Sequence, residues 1–552
     1  MGEHLSCARR QIQGPPRGRH RGGEAAERRA VQALGRTVIA PSTAAAALSG
    51  ALLALSFPKF GHPAVAFIAL VPLLVALSGW SGRGVALPGV STRRGFMLGL
   101  LAGFIHFAGT VYWTGATVAT FGGLPVFVAA IVAALLALYM AAYVAITCGI
   151  GAILIRHFGA RGLMLVPVAW VATEYLRGIV LGGFPWIPLG NTMVTLLPIA
   201  QLASAVGVFG LSMFVAFVNT GFALAALLAG RARLIAAAAT LAAITAISIW
   251  GGMRLAGNEL TQGAPIRIGL IQGNIAQTDK WNPARAGMIL DRYLQLTKQA
   301  ADNGAQFIMW PESSTPFYFE DDASGTIVRR LVSQLGRPLL LGSDEFEESD
   351  PPKHYNAAFM LDTAGATAAV YRKIQLVPFG EYVPLQRLLF FVGPLVEAVS
   401  AFSPGTRVTM LPVEGHMVST AICYEVTYPA LAREAVLNGS EMLTTITNDA
   451  WYGESSAAFQ HFEMAAMRSI EQGRYLARAA NTGISGIIDP YGRVLVKTNL
   501  FETAAVVGEA RFVQSRTLYA RIGDLVAYLS IALTFVALVL TRTGARFGTR
   551  HR

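Results

Sequence analysis

A cysteine, a glutamate and a lysine occupy comparable places in three separate segments of this chain. Cys423 ends the apolar run "TAIC" and is followed directly by Tyr424 and Glu425; Glu312 follows "FIMWP"; Lys373 ends "AVYRK". A free thiol is mostly protonated at neutral pH. A carboxylate beside it can accept the proton, and an ammonium can stabilise the thiolate and a later oxyanion. The three groups together make a nucleophile with its own base and electrostatic clamp. Singly, each has a plainer role: a buried cysteine is a small hydrophobe, Glu312 can cap a turn, and Lys373 can be a solvated strand end. The other two cysteines read differently, Cys148 as packing within an apolar stretch and Cys7 as part of a basic tail. There is no disulfide framework, no CxxC or HExxH, and His461 stands alone, so no metal and no cofactor are expected.

The segments that carry these residues alternate between strand-like and helix-like patterns. "IRIGLIQGN" (266–274), "AQFIMW", "PLLLGSD", "HMVSTAIC" and "EMLTTITND" read as strands, with a hairpin-like pair at 356–372 and another closed by "DPYG". Residues 283–304, about 324–335, "PALAREAVLNG" and 458–475 read as helices. Such alternation predicts a layered α/β domain. In these sheets reactive groups gather where strands end. Glu312, Lys373 and Cys423 all fall at such ends.

The rest of the chain has a different composition. Of 552 residues, 53% are hydrophobic and only 14% charged, and the deficit of charge is concentrated between 41 and 253. A bilayer core takes roughly 20 apolar residues in a helix. Candidate spans are 42–57, 63–80, 95–114, 124–154, 162–177, 197–228, 233–252 and 519–541, the fourth and sixth long enough to tilt or overrun the interface. Arg83, Arg93, Arg94, Arg156, Arg161, Arg231 and Arg233 fall in alternate loops; the opposite loops hold little beyond Lys59 and Arg177. Cationic loops stay on the cytoplasmic side, so both termini are expected inside and the α/β domain outside. The net charge of +12 is concentrated in arginine-rich ends flanking apolar spans, which reads as topology and lipid contact and not as nucleic-acid binding. Few charges lie inside the spans, so no ion pathway is expected; Glu174 is the main exception and is expected to pair with Arg177. The expected organisation is a basic, disordered cytoplasmic tail over 1–40, transmembrane helices one to seven over 41–253, an outward catalytic domain over 254–515, an eighth helix over 519–541 and a basic cytoplasmic tail over 542–552.

In order along the chain, "MWPES", "YRKIQLVPFGEYVP" and "CYE" resemble the carbon–nitrogen hydrolase (nitrilase) superfamily, which is built on a Glu-Lys-Cys triad. "RGIVLGGFPW" (177–186), "LVPFGEYVP" and "TNDAWYG" (447–453), joined to a multi-span scaffold, narrow the resemblance to the apolipoprotein N-acyltransferases over about 41–541. The resemblance implies an αββα four-layer sandwich held in the periplasm on a polytopic helical bundle in the bacterial inner membrane. It implies Glu312 as general base, Lys373 as oxyanion and thiolate stabiliser, Cys423 as nucleophile and Glu381 as a second carboxylate. The Tyr424 N–H would complete the oxyanion hole, with Glu425 behind it. Trp281 and Trp451 match positions near substrate or a mobile lid, or else serve as a membrane-facing anchor or core packing. The implied enzyme moves an acyl chain from a phospholipid, typically phosphatidylethanolamine, through a Cys thioester. The acceptor is the α-amine of the S-diacylglyceryl-cysteine that begins an apolipoprotein, in the last step of bacterial lipoprotein maturation, and a monomer is expected. Apolar segments such as "LGGFPWIPLG" and 388–402 either shelter the chain or anchor in the interface. Two other functions fit part of the pattern: a membrane-tethered amidase with water as acceptor, and a non-catalytic lipid-binding protein.

Overall fold

The computed structural model describes residues 40–79, 88–382 and 402–543. The basic tails, with Cys7, lie outside the described residues, as do Arg83 and residues 388–401 of the second apolar segment.

Among the described residues, four helices are long and apolar enough to cross a bilayer: Val126–Phe158, Ala203–Leu227, the stretch beginning at Gly230, and Leu525–Arg542. Thr92–Thr110 and Trp113–Phe121, bent by 53°, would together supply a fifth, whereas Pro41–Leu55 and Pro63–Leu77 are apolar but shorter. The expected fifth and sixth spans are not continuous. Residues 162–177 divide into Ala160–Met164 and Val166–Arg177, with Pro167 opening the second helix. Residues 197–228 break at Gly207, whose φ of 71° and ψ of 178° suit only glycine. A Cβ there would lie 2.4 Å from the Tyr519 ring. The break frees the Val208 N–H, and Glu471 Oε1 accepts it at 2.7 Å. A carboxylate of the α/β domain thus satisfies a backbone donor that apolar surroundings would leave unpaired.

The two ends of the bundle differ in charge. At one end Arg94 Nη2 donates to Ser42 Oγ and Thr43 Oγ1 at 2.9 and 2.8 Å, and the Arg156 side chain packs against Gly89. At the other, Gln460 of the α/β domain donates to the carbonyls of Pro58 and Thr110 at 3.1 and 3.0 Å and accepts from Trp186 Nε1 at 2.7 Å. Glu174 and Arg177 do not pair directly, contrary to expectation. Glu174 accepts from Trp170 Nε1 and the Leu189 N–H, while Arg177 Nη1 holds the carbonyls of Phe184 and Trp186. Both side chains fix the loop that carries Trp186, because its buried carbonyls and N–H groups need partners.

Twelve strands are described: β1 (Pro265–Gln272), β2 (Phe307–Met309), β3 (Leu339–Glu347), β4 (Lys353–Leu361), β5 (Thr367–Arg372), β6 (Leu411–Val413), β7 (His416–Ile422), β8 (Met442–Thr447), β9 (Leu476–Ala480), β10 (Gly486–Ile488), β11 (Val494–Lys497) and β12 (Ala504–Arg511). They form two six-stranded sheets, ordered β12-β1-β2-β3-β4-β5 and β11-β10-β9-β8-β7-β6. In each, three parallel strands are flanked by antiparallel ones. One apolar cluster joins the sheets, with Ile268, Phe307 and Leu340 from the first and Ile422, Ile446 and Ala477 from the second. The helices Ala286–Asp302 and Ala323–Leu335 cover the first sheet through Tyr293 and Val328. Pro429–Leu437 and Ala457–Gln472 share a core with Leu443 and Leu476 of the second sheet and with the apolar helices of the N-terminal half. The expected strands and helices recur within a few residues, but β6, β9 and β12 were not anticipated.

Candidate active site

The site forms at the strand ends that the sequence points to. Glu312 lies three residues beyond β2, Lys373 one beyond β5, and Cys423 one beyond β7. Lys373 Nζ donates to Glu312 Oε1 at 3.4 Å and to Glu381 Oε1 at 2.8 Å, all three side chains being buried. Asn356 Nδ2 joins the same two carboxylates at 2.8 and 3.1 Å. Glu312 Oε2 accepts the Asn448 N–H, and Glu381 Oε2 accepts the Val377 N–H, both at 2.8 Å. A buried carboxylate needs this many donors.

A second buried ammonium lies beside Glu312. Lys280 is 4% exposed, and its Nζ donates to the Glu312 carbonyl at 3.0 Å. Burial pulls it down to about 8 against the attraction of Glu312. Burial would raise Glu312, but Lys373 and then Lys280 outweigh it and hold the carboxyl below its usual range. Burial would lower Lys373, but Glu381 and Glu312 raise it. Burial pushes the Cys423 thiol up to about 12, Glu312 adds to the rise, and Lys373 opposes it. The resting state is therefore thiol, carboxylate and ammonium together.

Cys423 has φ 54°, rare for a residue with a Cβ, and opens the 3₁₀ turn Cys423–Thr427. Such backbone strain clusters at functional sites and persists only where surrounding contacts enforce it. Glu425 is one enforcing contact. Its Oε1 accepts from Tyr371 OH, Ile374 N and Gln375 N at 2.8, 2.6 and 3.1 Å, and its Oε2 from Ile422 N at 2.7 Å. One side chain thus ties the segment after Lys373 to the residue before Cys423. In Glu425→Gln an amide NH₂ must face one of these donors, leaving a buried N–H unpaired at about 1–3 kcal/mol. Turnover is expected to fall about 10²-fold through loss of alignment, with a lowered midpoint of thermal unfolding measured alongside acyl-transfer rates.

The remaining expected site residues have mixed placements. Tyr424 is buried, its ring stacked 6.0 Å from Phe184 and 6.5 Å from Trp186, so the "GGFPW" loop packs behind the turn that Cys423 opens. Trp281 is exposed on the surface beside the buried Lys280. Trp451 faces the bundle: its carbonyl accepts from Thr117 Oγ1 at 2.8 Å and its ring meets Phe121 edge-on at 4.9 Å. Sequence reasoning missed Lys280, Asn356 and Asn448. It also took His461 to stand alone, whereas His461 is buried against Asp449, Arg478 and the Cys423 carbonyl. Among the described residues no group of three or more His, Cys, Asp or Glu side chains could hold a metal.

The paired-sheet domain that holds this buried Glu-Lys-Cys set and second carboxylate is of the carbon–nitrogen hydrolase class: residues 267–518 match the carbon–nitrogen hydrolase family. Residues 49–221 match the apolipoprotein N-acyltransferase N-terminal domain. The apolipoprotein N-acyltransferase of Geobacter metallireducens is 38% identical over 500 residues, covering 88% of this chain and 92% of that protein. Those of Methylococcus capsulatus and Shewanella oneidensis are 34% and 33% identical, each covering 86% of this chain and 91% of theirs. The chain belongs to the apolipoprotein N-acyltransferase family and is an acyltransferase.

Proposed function

We propose that the chain moves a fatty acyl group from a phospholipid, with phosphatidylethanolamine as donor, to the α-amine of an S-diacylglyceryl-cysteine at the N-terminus of an apolipoprotein. The observation that carries this reading is the Lys373 ammonium bridging Glu312 and Glu381 within electrostatic reach of Cys423. In the first half-reaction Glu312 takes the thiol proton and sulfur attacks the ester carbonyl. Lys373 and the Tyr424 N–H hold the oxyanion. The C–O bond then breaks, Glu312 protonates the glycerol oxygen, and a thioester and a lysophospholipid result. In the second, the amine attacks the thioester, the C–S bond breaks, and the ammonium proton passes through Glu312 to the departing sulfur. Glu381 keeps Lys373 oriented, and Glu425 keeps the two loops in register. A thioester suits a two-step transfer because conversion to an amide runs downhill.

Both substrates are confined to a bilayer, which gives the bundle its purpose. Drawing an acyl chain into water would cost about 0.8 kcal/mol per methylene. We read the bundle as eight spans, including short and broken helices, under a four-layer αββα domain over 254–515. Both termini lie in the cytoplasm, the catalytic domain is periplasmic and the protein acts as a monomer. The orientation is supported by the arginines at the bundle end remote from the α/β domain. Trp281 would sit near the mouth of the site and Trp451 on the loop docked against Phe121.

Purified full-length protein, given phosphatidylethanolamine labelled in its acyl chains and a diacylated lipopeptide, tests the reading by chromatography and mass spectrometry. Label on the peptide's N-terminal amine with matching lysophospholipid is expected. Label appearing only as free fatty acid would make water the acceptor and the protein a hydrolase.

A further inference from the structure

The buried cluster around His461 brings three elements to the nucleophile's backbone. His461 comes from the Ala457–Gln472 helix, Asp449 from the turn after β8, and Arg478 from β9; none is more than 1% exposed. Asp449 Oδ2 accepts from Arg478 Nη2 at 2.8 Å, and its Oδ1 accepts from Thr447 Oγ1 at 2.9 Å. Arg478 Nε donates to the Ile484 carbonyl at 3.2 Å, and its Nη2 lies 3.0 Å from His461 Nδ1. Asp449 Oδ1 also lies 3.0 Å from that nitrogen. The other ring nitrogen, Nε2, stands 3.0 Å from the Cys423 carbonyl oxygen. A carbonyl oxygen carries no hydrogen, so the proton between them belongs to Nε2. Burial and then Arg478 lower the imidazole's proton affinity, which suits a neutral ring with Nδ1 accepting from Arg478.

The bond to Cys423 matters because of peptide planarity. The Cys423 C=O and the Tyr424 N–H share one trans amide plane and point in opposite directions. Fixing the carbonyl fixes where the N–H points. At φ 54° the cysteine backbone is strained, and rotation of that plane is an available relief. We propose that His461 is a positioning residue for the oxyanion hole: holding the Cys423 carbonyl through Nε2–H, within the Asp449–Arg478 cluster, it aims the Tyr424 N–H at the reacting oxygen. This rests on Cys423 being the nucleophile.

The test uses the full-length protein with phosphatidylethanolamine and a diacylated lipopeptide, and compares His461→Ala with His461→Gln, whose side-chain amide can donate to the same carbonyl. Two rates are read: acyl transfer, which passes through an oxyanion, and alkylation of Cys423 by iodoacetamide, which does not. His461→Ala is expected to lower kcat about 10²-fold, with KM and the alkylation rate within about threefold of wild type. His461→Gln should recover to within about tenfold of wild-type kcat. The role is overturned if alkylation slows in step with kcat, if His461→Gln is as impaired as His461→Ala, or if His461→Ala turns over normally. Failure of the nucleophile assignment appears separately: wild-type protein alkylated at Cys423, located by peptide mass, would then keep its transfer activity.

Discussion

Cys423→Ser is expected to lower acyl transfer by about 10⁴-fold or more, a barrier increase of about 5 kcal/mol, and to leave the fold intact. Sulfur and oxygen differ little in size, so the buried site keeps its packing. The chemistry changes more. Burial already pushes the thiol up to about 12, and the same surroundings act on an alcohol that is intrinsically a far weaker acid. Glu312, held low chiefly by Lys373 against burial, is too weak a base to ionise such an alcohol. Any acyl ester that formed would also resist the amine more than a thioester does. Turnover with labelled phospholipid, measured beside the thermal unfolding midpoint, checks both halves: lost transfer with an unchanged midpoint.

Lys373→Met should lose both activity and stability. In the proposed mechanism the ammonium is an oxyanion donor, and its removal is expected to lower kcat about 10²–10³-fold. It also leaves Glu312 and Glu381 facing each other across Asn356 in a buried site, costing about 3–5 kcal/mol. The pair can relieve this by binding a proton, which sets the sign of the pH dependence. Raised carboxylate affinity in the folded variant means more protons bound folded than unfolded, so stability falls as pH rises. The variant's deficit should be smaller at pH 5 than at pH 8. In the wild type Glu312 has the opposite shift: its contribution is present above the usual carboxylate range and is lost as pH falls through the lowered value. Adding Glu381→Gln to Lys373→Met should restore much of the stability and none of the activity. Asn356 Oδ1 has no partner among the described residues, so that side chain can turn to accept from the new amide. Chemical denaturation at the two pH values, with turnover, reads these effects.

The triad was legible because each member ends an apolar run, and a strand end is a local signal. Position along each segment sufficed to place Glu312, Lys373 and Cys423 at strand ends. The groups that complete the site have no such mark. Lys280 sits beside the more conspicuous Trp281, and only the fold reveals that the lysine is buried while the tryptophan is exposed. Asn356 looks like any polar residue within a strand until β4 pairs with β5 and turns it toward two carboxylates. His461, Asp449 and Arg478 lie on three elements, so no spacing links them. The missed strands have the same cause. β9, "LARAA", carries a buried arginine that its own segment does not explain, and Asp449 supplies the reason. β12 takes its place from an antiparallel register with β1, more than 200 residues away. The break at Gly207 was hidden because the flanking residues are mostly apolar, and hydropathy cannot see a φ angle.

In the proposed mechanism Cys423 carries the acyl group between two substrates. Protein incubated with labelled phosphatidylethanolamine and no acceptor, digested and mapped by mass spectrometry, measures this most directly. One acyl chain is expected on the peptide containing Cys423, removed by hydroxylamine as a thioester is, and discharged onto a diacylated lipopeptide added before digestion. An unmodified Cys423 in protein that still transfers label to the lipopeptide, or an acyl group on that cysteine that the lipopeptide cannot discharge, would contradict it.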